Sequence, residues 1–298
     1  MVWIQTHIVN NPFTTSLCIM FTYLGEAILG VVVIGIMYYG YNKKFAKYLG
    51  INMLSSCVIN PLIKNIFFRV RPYFVNDNIE CLKAVDASAD IMSITAQGYA
   101  FPSGHTMSTM SLFGSIAVYF KKKPLFILTD ILVLLVAFSR FALGVHYPTD
   151  VIVGAFIGLL VIIIYTLLRK KFDENKIMIV SMILFSVGLF YCKTNDYFQL
   201  YGLYLGFAFG CMFESKYVNF KNTNNTLKAI IRLIVGGLLF YGIKEIIKLP
   251  FTIDFLESGS YLSLLLTTLR YGLGIFVAMG IYPMIFKYNI LKLKEKDE

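Results

Sequence analysis

The sequence predicts an all-α fold, a polytopic bundle of membrane-spanning helices. Of its 298 residues, 57% are hydrophobic and only 15% are charged. Soluble domains carry about 45–50% apolar and about 25% charged residues, so no soluble core needs this much apolar sequence. The apolar runs also lack the period-2 alternation that a membrane β-barrel requires. A disordered chain, a coiled coil and a secreted disulfide scaffold are therefore excluded.

The apolar segments predict about nine transmembrane helices. A spanning helix needs about 20 apolar residues, and nine segments come close to that length. They lie at residues 17–40, 50–68, 103–120, 125–143, 148–168, 177–192, 197–213, 229–247 and 261–286.

The basic residues predict how these helices are oriented. The formal net charge is +10, which in a soluble protein raises the question of nucleic acid. Here, basic cytoplasmic loops explain it, and no nucleic-acid partner is expected. One alternating set of loops holds 17 of the 27 Lys and Arg residues, including a tail after Phe286 expected at the inner leaflet, and the opposite set holds five. We therefore expect the amino terminus outside, the carboxyl terminus in the cytoplasm, and the 72–101 and 140–148 loops facing outward.

Polar residues gather in three clusters at the outer ends of predicted spans. In the first, Lys64 and Arg71 are seven residues apart, so a continuous helix puts them on nearly one face, about 10.5 Å apart along the axis. A lysine at that depth is expected to face a wet cavity or an anion. The alternative is that both side chains snorkel to the lipid headgroups.

The second cluster is Ser103, Gly104 and His105, immediately before the third span. Ser103 is placed as an N-cap, and Gly104 lets a ligand approach the backbone closely. Backbone N–H groups at a helix start form an anion site that the helix dipole reinforces. The alternative is a plain helix cap beside an uninvolved histidine.

The third cluster contains Ser139, Arg140, His146 and Asp150, around the turn between the fourth and fifth spans. Pro148 suits the first turn of a helix. Asp150 is within reach of one ring nitrogen of His146, which leaves the other nitrogen available as a nucleophile. The alternative is that Asp150 only caps the helix.

Together the clusters predict one site that binds a phosphoryl dianion. Positioning and charge neutralisation supply most of the catalysis in phosphoryl transfer, and three basic side chains can supply the neutralisation. The sequence contains no carboxylate cluster suited to Mg²⁺, so we expect neither a metal nor another cofactor. The acidic loop between Asp77 and Asp90 is either a lid over this site or a solvated connection.

The clusters resemble the signature of the type-2 phosphatidic acid phosphatase superfamily, which includes vanadium haloperoxidases, bacterial acid phosphatases and glucose-6-phosphatase. That signature is Lys-x₆-Arg-Pro, Pro-Ser-Gly-His and Ser-Arg-x₅-His-x₃-Asp. All eleven defined positions match: Lys64, Arg71, Pro72, Pro102, Ser103, Gly104, His105, Ser139, Arg140, His146 and Asp150.

The resemblance implies a role for each of these residues. His146 attacks phosphorus and becomes a phosphohistidine, with Asp150 orienting it, and His105 protonates the leaving group and then activates water. Phosphate is bound by Lys64, Arg71, Ser103, Gly104 and Arg140. We accordingly divide the chain into a catalytic phosphatase core at residues 1–172 and a four-span region of unassigned role at residues 173–298.

The number of spans and the position of the first motif after the second span look more like the glucose-6-phosphatase and sphingosine-1-phosphate phosphatase branch. We expect a metal-independent phosphatase acting on a lipid phosphate at the outer face of a cell membrane, or at the luminal face of a eukaryotic endomembrane. Open substrates are polyprenyl pyrophosphate, phosphatidate, phosphatidylglycerol phosphate and a sphingoid-base phosphate, and the oligomeric state is also open. Alternatives are a lipid phosphotransferase and a non-catalytic lipid-phosphate binder or transporter that uses charges within the spans.

Overall fold

The computed structural model describes residues 1–287, and every regular element in that range is helical. The prediction of an all-α fold is confirmed. The α-helices are α1 (Val2–His7), α2 (Pro12–Tyr23), α3 (Ala27–Ile36), α4 (Lys43–Phe67), α5 (Ile94–Gln97), α6 (Gly104–Thr109), α7 (Ser115–Phe120), α8 (Lys123–Ala142), α9 (Pro148–Leu168), α10 (Glu174–Phe185), α11 (Asn195–Phe213), α12 (Thr226–Ile246), α13 (Ile253–Glu257), α14 (Tyr261–Phe276) and α15 (Met284–Lys287). Short π-helical segments lie at Met37–Tyr41, Met110–Gly114, Glu214–Val218 and Val277–Ile281, and 3₁₀ turns at Pro72–Phe74 and Ser186–Phe190.

Several helices are long and apolar enough to cross a membrane. Within the described range there are five, at Lys43–Phe74, Lys123–Ala142, Pro148–Leu168, Thr226–Ile246 and Tyr261–Lys287. A sixth results if Pro12–Tyr23 and Ala27–Tyr41, which are bent by 44° relative to each other, form one broken span. The chain is therefore a multi-pass membrane protein. The count of nine transmembrane helices stays a prediction. The Lys-rich tail, with Lys292, Lys294 and Lys296, lies outside the described residues.

The chain forms two compact units. One unit comprises Met1–Val31 and Ile51–Lys171, and the other comprises Val32–Gly50 and the described residues from Phe172 onward. All the predicted site residues belong to the first unit. Residues 32–50 lie within the predicted catalytic core and belong to the second unit, so the functional division after residue 172 stays a prediction.

In the second unit, a buried carboxylate holds the start of α4. Lys43 Nζ lies 2.7 Å from Glu214 Oε1, and Lys47 Nζ lies 3.6 Å from Glu214 Oε2. Glu214 is fully buried, and a buried charge of this kind needs an opposite charge close by. The two lysines that the sequence assigns to membrane topology therefore also neutralise Glu214.

In the first unit, hydrogen bonds organise the 72–101 loop. Its organising side chain is Gln97, which is fully buried. Gln97 Oε1 accepts hydrogen bonds from the backbone N–H groups of Val85 (2.9 Å) and Asp86 (3.2 Å), and Gln97 Nε2 donates to Asp86 O (2.8 Å). At the other end, Gln5 Nε2 donates to Glu80 O at 2.8 Å. The loop is thus held to the amino-terminal segment and is more than a solvated connection.

Two glycines of α9 allow close packing against α6. A Cβ atom at Gly154 would lie 2.6 Å from the carbonyl oxygen of Ser103, and one at Gly158 would lie 2.8 Å from the carbonyl oxygen of Met107. Both distances are shorter than van der Waals contact allows. This backbone-to-backbone packing places the start of α6, with its Ser-Gly-His sequence, beside the start of α9.

We expect Gly154→Ala to lower the stability of the protein by about 1–3 kcal/mol, because the added methyl group must displace the backbone of Ser103. The matched control is Gly237→Ala in α12, where no atom lies within 4 Å of the place that the added methyl group would occupy and alanine favours the helix by about 0.5–1 kcal/mol. Thermal melting of the purified protein in detergent measures both effects. Equal melting temperatures for the two variants would contradict this account of the packing.

Candidate active site

The first motif does not lie on one helix face. Lys64 is in the last turn of α4, which ends at Phe67. Phe68 has a φ of 48°, in the left-handed region through which an α-helix does not continue. Arg71 is extended, as residues before a proline generally are. The expectation that Lys64 and Arg71 share one helix face, about 10.5 Å apart, is therefore wrong.

Arg71 instead turns into the protein and bonds to two other segments. Its guanidinium is buried. Arg71 Nε donates to the carbonyl oxygens of Gln97 (3.0 Å) and Gly98 (3.1 Å), and Nη1 donates to the carbonyl oxygen of Val145 (3.0 Å). Nη1 also lies 3.5 Å from His146 Nε2. The first motif is thereby held against the loop before the second motif and against the turn of the third.

Ser103 is at the N-cap position of α6, as predicted, but its side chain does not cap the helix. Ser103 Oγ accepts a hydrogen bond from Thr106 Oγ1 at 3.1 Å. The backbone N–H of Ser103 donates to the carbonyl oxygen of Asp150 at 2.9 Å, and Asn60 Nδ2 donates to the carbonyl oxygen of Pro102 at 3.0 Å. Ser103 is thus fixed from both sides, with the start of a helix directly after it.

Gly104 and His105 form the more exposed side of the site. Both are partly exposed, whereas Ser103 is fully buried. A Cβ atom at Gly104 would lie 3.3 Å from Asn60 Oδ1, so a larger residue there would crowd the Asn60 side chain. His105 packs against Gly25, where a Cβ atom would lie 2.9 Å from His105 Cβ. No sequence pattern pointed to Gly25, because its role depends only on this close contact.

Arg140 is a buried cation with incomplete hydrogen bonding. It lies in the last turn of α8 and is only 2% exposed. Its Nη1 is 3.4 Å from Thr22 Oγ1, and Thr22 Oγ1 is 3.1 Å from Ser139 Oγ. Arg140 Nε has no hydrogen-bond partner among residues 1–287. An anion beside this guanidinium would offset the cost of burying it.

His146 lies between Arg71 and Asp150. The distance from His146 Nδ1 to Asp150 Oδ2 is 3.5 Å, but the two atoms do not form a hydrogen bond, and Nδ1 has no hydrogen-bond partner within the described range. Asp150 Oδ2 accepts instead from the backbone N–H of Tyr147 at 2.8 Å, in a capping box at the start of α9 with Pro148 in its first turn. Asp150 therefore caps the helix, as the simpler alternative held, and also lies next to His146.

The surroundings of His146 keep its imidazole neutral. Burial lowers the pKa of His146 well below its ordinary value of 6.5, and the charges of Arg71, Arg140 and Lys64 lower it further. A neutral imidazole has a lone pair available for attack on phosphorus. Of the three basic residues predicted to bind phosphate, Arg71 lies beside His146, and the charges of Arg140 and Lys64 also act on this histidine.

Sequence reasoning missed Arg69, which it counted only among the basic residues of the loops. Arg69 Nη1 donates to Asp150 Oδ1 at 2.8 Å and to Thr149 Oγ1 at 2.7 Å. The available signal was the position of Arg69 inside the first motif, between Lys64 and Arg71. That signal does not identify Asp150 as the partner, since the two residues are 81 positions apart.

The described residues contain no group of three or more His, Cys, Asp or Glu side chains that could hold a metal ion. Asp150 lies 3.5 Å from His146, and its two carboxylate oxygens are engaged by Arg69 and by the backbone N–H of Tyr147. The arrangement therefore has cations and helix-start N–H groups available to bind phosphoryl oxygens.

Two family models match the sequence. The model described as PAP2 superfamily matches residues 44–174, which contain all three motifs. The model described as PAP2 superfamily phosphatase, transmembrane extension, matches residues 198–296. These matches confirm the resemblance to the superfamily, while the placement in the glucose-6-phosphatase and sphingosine-1-phosphate phosphatase branch stays a prediction.

Three individual relatives are similar to part of the chain. Undecaprenyl-diphosphatase BcrC of Bacillus subtilis is 31% identical over 172 residues, which cover 55% of this chain and 81% of that protein. Phosphatidylglycerophosphatase B of B. subtilis is 26% identical over 181 residues, which cover 56% of this chain and 79% of that protein. Lipid phosphate phosphatase delta of Arabidopsis thaliana is 32% identical over 89 residues, which cover 26% of this chain and 21% of that protein. No solved structure matches the chain significantly.

We expect His146 to make the protein less stable in acid. Its pKa in the folded protein lies below the 6.5 of the unfolded chain, so below pH 6.5 the unfolded chain binds more protons and stability falls as the pH falls. Between about pH 7.5 and about pH 5.5, which bracket the ordinary histidine pKa, the melting temperature of wild type should drop more than that of His146→Gln. His7→Gln, which changes an exposed histidine of α1, should behave like wild type in the same phosphate-free buffer. An equal drop in melting temperature for all three proteins would contradict the contribution assigned to His146.

Proposed function

Because this chain belongs to the PAP2 superfamily, we propose that it is an integral-membrane, metal-independent lipid phosphate phosphatase that works through a phosphohistidine. The observation that carries the proposal is the environment of His146: a buried imidazole with Nε2 3.5 Å from the guanidinium of Arg71, inside the fields of Arg140 and Lys64. This arrangement combines a neutral nucleophile with fixed positive charge for the phosphoryl oxygens.

The proposed reaction has two steps. In the first, His146 Nε2 attacks phosphorus, the bond to the leaving oxygen breaks, and His105 donates a proton to that oxygen. In the second, His105 removes a proton from water, the water oxygen attacks the phosphohistidine, and phosphate leaves while Nε2 is regenerated. Lys64, Arg71 and Arg140 neutralise the charge on the phosphoryl oxygens, with Ser103 and the Gly104 N–H as further ligands.

An exposed aromatic patch beside the site supports an amphiphilic substrate. The patch consists of Phe67, Phe68, Tyr99 and Phe101. Phe67 packs on Phe101 with ring centroids 4.8 Å apart, and Phe68 packs on Tyr99 at 5.2 Å. Phe67 and Phe68 nevertheless stay more than half exposed. Because this patch follows Lys64 and precedes Ser103, it can contact an apolar chain whose phosphate lies in the site.

The patch and the relatives together support a lipid phosphate as the substrate. Two of these relatives carry the names undecaprenyl-diphosphatase and phosphatidylglycerophosphatase, so a polyprenyl pyrophosphate and a phospholipid monophosphate are the first candidates.

We propose that nine spans place the site at the extracytoplasmic face, with the amino terminus outside and the carboxyl terminus in the cytoplasm. The support is the distribution of basic residues.

The charges of the second unit support a structural role for that unit over a transport pathway. Glu214 pairs with Lys43 and Lys47. Glu245 Oε1 lies 3.1 Å from Lys244 Nζ and 3.9 Å from Arg270 Nη2. Removing one partner of a buried ion pair such as Lys43–Glu214 is strongly destabilising, so these charges are bound up with the structure of the unit. We propose that residues 173–298 serve mainly to hold the catalytic core in the membrane.

Phosphate release by the purified full-length protein tests the proposal. With a panel of lipid phosphates and excess EDTA, we expect wild type to release phosphate and His146→Ala to lose at least about 10³-fold of the rate, because the nucleophile is gone. His7→Ala is the matched control and should keep full activity. Equal activity in both variants would refute the assignment, and a phosphorylated acceptor in place of free phosphate would identify a phosphotransferase.

The aromatic patch has a separate test. We expect Phe67→Ala to raise KM for a long-chain substrate by about 5–10-fold, which corresponds to about 1–1.4 kcal/mol of lost apolar contact. The rate with p-nitrophenyl phosphate, which has no long chain, should stay unchanged. The control is Phe156→Ala in α9, since the two phenylalanines are exposed to a similar extent, 60% and 57%. The same increase in KM in both variants would contradict a role for the patch.

A further inference from the structure

Arg69 contacts segments that belong to all three motifs. It lies within the first motif. Its carbonyl oxygen accepts a hydrogen bond from the backbone N–H of Ala100 at 2.7 Å, and Ala100 is two residues before Pro102, where the second motif begins. Its Nη1 donates to Asp150 Oδ1 at 2.8 Å and to Thr149 Oγ1 at 2.7 Å, both at the start of α9. One residue thus joins the ends of three segments.

The guanidinium of Arg69 is also oriented by an aromatic ring. Its Cζ atom lies 3.9 Å from the centroid of the Tyr147 ring, within the range of a cation–π interaction. The side chain of Arg69 is 37% exposed, whereas that of Asp150 is fully buried. Arg69 therefore lies at the rim of the site, with its charged end directed inward to a carboxylate that water does not reach.

We propose that Arg69 is a positioning residue that orients Asp150 toward His146. The inference rests on the proposed function. Arg69 holds Oδ1, and the backbone N–H of Tyr147 holds Oδ2, so the carboxylate cannot rotate about its bond to Cβ. Oδ2 is thereby kept 3.5 Å from His146 Nδ1.

This geometry matters most when His146 gains charge. As Nε2 bonds to phosphorus, the imidazole ring becomes cationic and its Nδ1–H becomes a stronger donor. A carboxylate already held at 3.5 Å can then accept that hydrogen bond after a small shift of the ring, with no reorientation of its own. Stabilisation that develops only along the reaction lowers the barrier and leaves substrate binding unchanged.

Arginine suits this position better than lysine does. Its planar guanidinium donates two hydrogen bonds from one nitrogen while its face lies on Tyr147, whereas a lysine ammonium has no planar face. Loss of Arg69 would also leave the buried carboxylate of Asp150 without its hydrogen-bonded counter-charge, which is costly. Lysine restores the charge but not the stacking, so Arg69→Lys should be intermediate between wild type and Arg69→Gln.

The test measures steady-state kinetics of the full-length protein in detergent with a long-chain lipid phosphate. We expect Arg69→Gln to lower kcat by about 10–100-fold, the size of effect seen when a residue that orients a metal-binding histidine or carboxylate is lost, with little change in KM. Arg69→Lys should recover part of the loss. Arg169→Gln, which removes an exposed charge just beyond the far end of α9, should leave both parameters unchanged.

A double variant separates positioning from a general structural effect. If Arg69 acts through Asp150, the double variant Arg69→Gln with Asp150→Asn loses no more kcat than Asp150→Asn alone. Losses that multiply, or a higher KM with normal kcat as expected for direct contact with substrate, would each overturn the inference. If Arg69→Gln does not fold, the same comparison is made with Arg69→Lys.

Failure of this inference is distinguishable from failure of the proposed function. If wild type releases phosphate and His146→Ala does not, but Arg69→Gln keeps a normal kcat, only the role of Arg69 is wrong. If His146→Ala is as active as wild type, the phosphohistidine mechanism itself is wrong.

Discussion

A guanidinium buried among apolar helices must find its acceptors inside the protein, and Arg71 finds them in backbone carbonyls from two other segments. Its bonds to Gln97, Gly98 and Val145 join the end of α4 to the loop before α6 and to the turn before α9. The loop can supply Gln97 and Gly98 only because the Gln97 side chain folds it into a compact structure. The architecture of the site therefore follows from satisfying one buried cation.

The same constraint explains why the site favours an anion. Arg71 Nε and Nη1 donate to carbonyl oxygens, which carry no net charge, and Arg140 Nε has no partner in the part of the chain that the structure describes. Two buried cations around a neutral His146 leave a net positive charge that the protein itself does not balance. A phosphoryl group would balance it, so binding and charge neutralisation in catalysis use the same residues.

Helix packing fixes the relative positions of the site residues, which charge alone does not do. Gly154 and Gly158 bring the backbone of α9 against that of α6, and Ser103 N–H donates to Asp150 O across this contact. The second histidine, His105, is thus held on a helix whose position relative to His146 depends on main-chain contacts. Side chains can change rotamer, but a backbone contact between two helices moves only if the helices move.

The sequence by itself determined the membrane setting, the all-helical class and the identity of the motif residues, because composition and the spacing of Lys64 through Asp150 are properties of the linear chain. It did not determine that α4 ends before Arg71, since that depends on how Phe68 and Arg71 pack. Nor did it identify the pairing of Arg69 with Asp150, or the contact between Gly25 and His105. These contacts join residues far apart in sequence, and only the packing of the helices decides which of them meet.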